Sequence, residues 1–232
     1  MDNDIRVMDK FLEDRDLDDM ETFGYTTICV GDPPQNDVEE VQEVFERSPK
    51  KTASGIVFCG GGPECQKFLG TDNEEAEVMR FIKRRLGVNE RLELIQSIAI
   101  LEFQPQKDAD LQPCRAHPVH SSDAISIFRP LNGAANWDNG FFAVYGSSHH
   151  QTPQEFLLGQ GDIHRKVVEA HEVFAISGGS VVQPSPEGGL RMVWQGFSKR
   201  PMLEDMFAAD AFEFMTGLGW GQANQDTIIE PK

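Results

Sequence analysis

The sequence predicts an α+β protein, mainly β, with helices packed outside a double-sheet antiparallel core. Three observations carry that prediction. The N-terminal third holds amphipathic helical patterns, and from Ile95 onward short apolar runs recur between Pro- and Gly-rich connections. No helical period alternates with those runs, which disfavours βαβ units and a parallel sheet.

Residues 1–21 carry nine acids against three bases, yet Val7, Met8, Phe11 and Leu12 fall at helical spacing and suit a short docked helix. Gly31–Asn36 reads as a loop by its Pro and Gly content. It leads into a helix over Asp37–Arg47, with Val38, Val41, Val44 and Phe45 on one stripe. A short strand is expected at Gly55–Cys59, followed by a flexible or tight turn at Gly60-Gly61-Gly62-Pro63. The clearest helix has Thr71 or Asp72 as its cap, turns Val78, Phe81, Ile82 and Leu86 inward and stops at Gly87. Strands follow at Ser97–Phe103, Ala124–Phe128, Gly140–Tyr145, Val167–Ile176 and Leu190–Phe197. A last helix runs from Met202 to about Met215, before Gly217-Leu218-Gly219-Trp220-Gly221. The chain divides into an acidic, mostly helical part (1–94), a β core with its closing helix (95–221) and a tail (222–232), all within one structural domain.

The 232 residues carry 38 acids and 21 bases, a formal charge of −17. That balance argues against nucleic acid and anionic membrane as partners, because both select a positive surface. No apolar run approaches the ~20 residues of a membrane span, and the acidic N-terminus is unlike a secretory signal. Cys29, Cys59, Cys65 and Cys114 show no CxxC spacing and read as reduced thiols. A soluble, cytoplasmic protein is expected.

Three patterns lie in order along the β part. They are QPCRAHPVHSSD (112–123), DNGFFAVYGSSH (138–149) and AHEVFAI (170–176), the last followed by Gly178-Gly179-Ser180 and later by Arg191. Together they resemble the phytanoyl-CoA dioxygenase-like branch of the Fe(II)/2-oxoglutarate oxygenases, in particular its fungal meroterpenoid enzymes. The resemblance covers roughly residues 95–221 and implies a double-stranded β-helix, a jelly-roll or cupin-like core. It also implies an iron site built from a His-x-Asp pair and a distal His, with an Arg further on that grips the 2-oxoglutarate carboxylate.

Residue by residue, the ligand set is incomplete. The resemblance puts His120 at the first ligand, Ser122 where the Asp belongs and Val182 where the distal His belongs, or Gln183 with a one-residue slip. A serine hydroxyl is a poor ligand for a dication. Asp123 lies on the opposite face of an extended chain unless a bulge re-aims it. Arg191 matches the 2-oxoglutarate anchor, as a vestige; the plainer reading, a strand Arg paired with a neighbouring acid, is preferred. His149 and His150 look like a metal pair, but His149 closes the GSSH turn, where the resemblance implies a structural role. His117 and His120 flank Pro118, which favours extended chain and diverging imidazoles. Asp162 and His164 read as surface polar residues, Gly60-Gly61-Gly62 lacks a phosphate-loop context, and Cys114 near His117 shows no sign of activation. Phe141, Phe142, Trp194 and Phe197 read as core.

The expectation is therefore a pseudo-oxygenase. It would be the non-catalytic subunit of a heterodimer, supporting a catalytically intact paralogue in fungal secondary-metabolite, meroterpenoid-type biosynthesis. Fe(II) and 2-oxoglutarate would sit in the partner subunit, with no cofactor on this chain. Two alternatives stay open: an active oxygenase using His120, Asp123 and a third group, or a small-molecule binding module. The apolar residues Met202, Met206, Phe207, Phe212 and Phe214 offer an interface or a core face.

Overall fold

Alternation along the strands decides the layers of this chain. The computed structural model describes residues 15–53, 55–106, 111, 113–116, 122–159 and 161–199. A helix over residues 15–23 (α1) precedes β1 (Tyr25–Cys29), α2 (Gln35–Arg47), β2 (Lys51–Ala53), β3 (Ile56–Gly60), α3 (Pro63–Leu69) and α4 (Glu77–Leu86). The β core then runs through β4 (Ile95–Phe103), β5 (Cys114–Arg115), β6 (Ala124–Pro130) and β7 (Ala143–Tyr145). After α5 (Pro153–Leu158) come β8 (Ile163–His164), β9 (Glu172–Ser177), β10 (Val181–Gln183) and β11 (Arg191–Ser198).

The strands make two antiparallel sheets, ordered β1-β9-β6-β11-β4-β3-β2 and β5-β10-β7-β8. From β4 onward the chain passes back and forth between them, and only β7 and β8 are consecutive strands in one sheet. This is the double-stranded β-helix expected, with β1, β2 and β3 widening the larger sheet. On β11, Met192 and Trp194 face the smaller sheet, whereas Val193 and Phe197 face the helices. The helical side buries Phe45 of α2, Phe68 of α3 and Phe81 and Ile82 of α4 against Ile100, Ile127 and Val193. On the far side of the smaller sheet, Phe156 of α5 packs on Tyr145 and Val181.

Several elements depart from expectation for local reasons. Gly60–Pro63 opens a helix: Gly62 stands in an extended N-cap conformation and Pro63 takes the first helical position, where its missing N–H costs nothing. Helix α4 begins at Glu77, because Thr71 is buried and donates its hydroxyl to Gln195 of β11 at 2.6 Å. Val78, Phe81, Ile82 and Leu86 are all buried, and Gly87 ends the helix at φ 65°, a conformation that glycine adopts without strain. Helix α2 starts at Gln35, and Asp37 is buried against Lys67 at 2.7 Å. Of the run Val167–Ile176 only Glu172 onward is strand; Val168 pairs alone with Ala135. The helices expected near Val7–Leu12 and over Met202–Met215, and the Gly217–Gly221 segment, lie outside the described residues. No helix among the described residues is long and apolar enough to cross a membrane.

Candidate functional site

The resemblance places its metal ligands just after β5 and at the start of β10, two strands that the structure pairs directly. Arg115 stands opposite Val181 and Cys114 opposite Val182, and the Ala116 amide donates to the Ser180 carbonyl at 3.0 Å. The described residues beside this pairing form an apolar cluster. Val182 is 5% exposed and packs with Cys114, Ala116, Val144, Met192 and Trp194 between the two sheets. An aromatic block from the DNGFFAVYGSSH motif fills the adjoining space: Phe141 and Phe142 have ring centroids 4.3 Å apart, Phe142 lies 5.2 Å from Phe128, and Phe141 lies 5.4 Å from Phe174. Two interior polar side chains at this end pair with each other and with the backbone. Trp194 Nε1 donates to Ser126 Oγ at 3.0 Å, and Ser126 Oγ donates to the Ala116 carbonyl at 2.7 Å.

The residues that the resemblance singles out are scattered. Ser122 is exposed in the turn before β6, and Asp123 forms an ion pair with Lys199 at 3.1 Å. His120 and His117 lie outside the described residues. Arg191 is corrected by its strand parity: Leu190 and Met192 turn inward, so Arg191 faces the helices. There its guanidinium bonds Glu102, reaches Glu46 at 3.2 Å and lies over the Phe45 ring at 4.6 Å. A carboxylate gripped by Arg191 would lie outside the barrel, so it is not placed as a 2-oxoglutarate anchor; the strand Arg paired with acids is what the structure contains.

Fe(II) requires imidazole and carboxylate donors converging on one point. Among the described residues no three His, Cys, Asp or Glu side chains do so. Complete burial pushes the Cys114 thiol up to about 12, which keeps it protonated and a weak ligand. Arg115 donates to the Gly179 carbonyl on the outer face of the smaller sheet. The described residues at this end therefore do not fit an iron–2-oxoglutarate pair.

The remaining histidines have structural partners. His149 and His150 lie side by side with centroids 3.8 Å apart and rings tilted by 40°, and both Nε2 atoms reach the Glu21 carbonyl, at 2.9 and 2.8 Å, capping the end of α1. Burial, followed by the neighbouring His150, lowers the His149 pKa. Gly24 packs so closely here that a Cβ would lie 2.5 Å from both His149 Nδ1 and Ser180 Oγ. His164 departs from the surface reading: it lies on β8, half-buried, with its Nδ1 2.6 Å from the Tyr25 hydroxyl. Burial and the nearby Asp19 push the Tyr25 phenol up to about 12, so it keeps its proton. Tyr25 and Arg129 are interior polar residues that the motifs did not indicate. Arg129 is 5% exposed and donates to the Phe68, Gly31 and Ala170 carbonyls at 2.6, 2.5 and 3.1 Å. A lone Arg inside an apolar strand, Ala124–Pro130, was the available signal.

No protein-family model matches this chain, and no curated protein matches it by sequence. Solved structures do. The epimerase SnoN, in complex with Fe3+, alpha ketoglutarate and nogalamycin RO, aligns at TM-score 0.61 and 12% identity over 87% of this chain and 93% of its own. HygX from Streptomyces hygroscopicus, with nickel and 2-oxoglutarate bound, aligns at TM-score 0.59 and 12% identity over 79% and 86%. AviO1 from Streptomyces viridochromogenes aligns at 0.55 and 12% identity over 80% and 94%. The chain has the fold of these proteins.

Proposed function

We propose that this chain is a non-catalytic member of the Fe(II)/2-oxoglutarate oxygenase fold that acts as the partner subunit of a catalytically intact relative. The observation that carries the reading is Val182. At the strand position where the resemblance expects an imidazole, a valine side chain is sealed into an apolar core with Met192, Trp194 and Phe142. A side chain so placed offers no lone pair, and the aromatic block leaves the barrel serving as a scaffold. The alternative ligand Asp123 is held by Lys199. The interior packing also disfavours a binding module that would use the barrel. In the fuller reading, the relative holds Fe(II) and 2-oxoglutarate, and the pair works in fungal meroterpenoid-type secondary metabolism.

Two measurements test this. The purified chain, titrated with Fe(II) and 2-oxoglutarate, is expected to take up no stoichiometric metal and to form no succinate; stoichiometric uptake with turnover refutes the non-catalytic reading. Co-expression with an intact oxygenase relative encoded beside it is expected to give co-elution and higher solubility of that relative. Separate elution with unchanged turnover refutes the partner reading.

A further inference from the structure

The edges of the two sheets meet at β1 and β8, and there the chain exposes apolar and basic side chains together. Phe23, Ile163 and Val167 are 38%, 48% and 54% exposed. Phe23 lies against Tyr25 and His164, with ring centroids 6.1 and 6.0 Å away. In a chain of charge −17, the sequence beside them is His164-Arg165-Lys166. Arg165 lies over the Trp137 ring at 4.3 Å and Lys166 over the Tyr25 ring at 5.2 Å, and neither forms an ion pair with a described carboxylate. Exposed apolar side chains beside unpaired cations mark a surface suited to an acidic, apolar occupant.

This chain carries such an occupant. Residues 202–215 hold Glu204, Asp205, Asp210 and Glu213 with no base, interleaved with Met202, Met206, Phe207, Phe212 and Phe214. The topology ends β11 three strands from the β1 edge. β11 finishes at Ser198 opposite Ala124 of β6; Ile125 of β6 pairs with Ser177 of β9; Ile176 pairs with Tyr25, the first residue of β1. Three strand spacings separate Ser198 from Tyr25, about 14 Å at about 4.8 Å each. About five extended residues cover that distance at ~3.3 Å per residue, so the segment that begins at residue 202 is within reach.

We propose that residues 202–215 of the same chain dock along the β1/β8 edge, setting their Met and Phe side chains against Phe23, Ile163 and Val167 and their carboxylates toward Arg165 and Lys166. The inference is independent of any pairing with a catalytic relative.

The test uses the full chain. An equimolar mixture of unlabelled and 15N-labelled protein is treated with a carbodiimide, which joins amines to carboxylates in direct contact, and digested for mass spectrometry. Lys166 is expected to link to Glu204, Asp205, Asp210 or Glu213 in peptides of a single isotope. Mixed-isotope links would identify a second copy as the occupant, and links from Lys166 to other residues only would leave the edge without this segment; either result overturns the proposal. Arg165→Glu, which keeps the Lys166 amine, is expected to cut the yield roughly threefold through one exposed ion pair turned repulsive, with the melting temperature confirming the fold. An unchanged yield from the folded variant also overturns it.

Discussion

Phe141→Ala tests how tightly the barrel interior is packed around the aromatic cluster. Phe141 is fully buried and meets three rings, with centroids at 4.3 Å (Phe142), 5.4 Å (Phe174) and 6.5 Å (Phe128). Truncating a buried Phe to Ala costs about 3–5 kcal/mol, and ring pairs add about 0.5–1.5 kcal/mol each beyond area burial. The upper part of that range, about 4–5 kcal/mol, is expected here because rings from three separate strands and loops cannot all relax into one vacancy. At about 2–4 °C per kcal/mol for a chain of this size, the melting temperature should fall by roughly 10–15 °C. Urea denaturation is the cleaner assay, since a shifted midpoint at constant slope reports stability alone. Such a loss is comparable with the whole stability of many domains, about 5–15 kcal/mol. Phe141→Leu, at about 1–2 kcal/mol, therefore provides a second point on the same line. A loss below about 1 kcal/mol for the Ala variant would mean that the interior has room to spare and could hold a cofactor.

Val182→His restores the missing imidazole in name only: it is expected to cost about 2–4 kcal/mol by burying an unpartnered polar ring, with no Fe(II) uptake by calorimetry. Arg129→Met should cost about 2–4 kcal/mol in urea, since the buried Phe68 carbonyl and the less shielded Ala170 and Gly31 carbonyls lose a charged donor. His149 gives a pH signature. Its folded pKa lies below the ordinary histidine value of 6.5, so the unfolded chain binds a proton that the folded chain refuses. The stability it contributes is complete above pH 6.5 and is lost as pH falls from there through the lower folded value. Melting temperatures of His149→Gln, whose amide can still donate to the Glu21 carbonyl, should decline less between pH 7 and 5 than those of the parent. Equal slopes would remove His149 from the account.

The amphipathic face of α4 was fully legible, because Val78, Phe81, Ile82 and Leu86 repeat over a length that periodicity resolves. The double-stranded β-helix was legible through its ordered motifs, whereas β5, β8 and β10 span two or three residues and are defined by pairing across the chain. Helix α3 was hidden because Gly-Gly-Gly-Pro carries turn and helix-start signals together, and only its packing against the sheet decides between them. At the candidate site, the loss of the Val182 donor was readable. The placement of Arg191 was readable too: Leu190, Met192 and Trp194 set the inward parity, which puts Arg191 on the side of Val193. What the sequence withheld was the partner of His164, since Tyr25 stands 139 positions away.

That separation recurs throughout the N-terminal arm. Ser147 Oγ donates to the Thr22 carbonyl across 125 positions, and Ser180 Oγ to the Gly24 carbonyl across 156. β1 finds its ladder only on β9. On the ribosome, β1 therefore emerges long before the strand it pairs with and waits for about 150 further residues, or roughly 8–30 s at ~5–20 residues per second. Throughout that interval Met20 and Ile28, later sealed in the core, stand open to chaperones and proteases. The synthesis of β9 is the event that ends the exposure of β1.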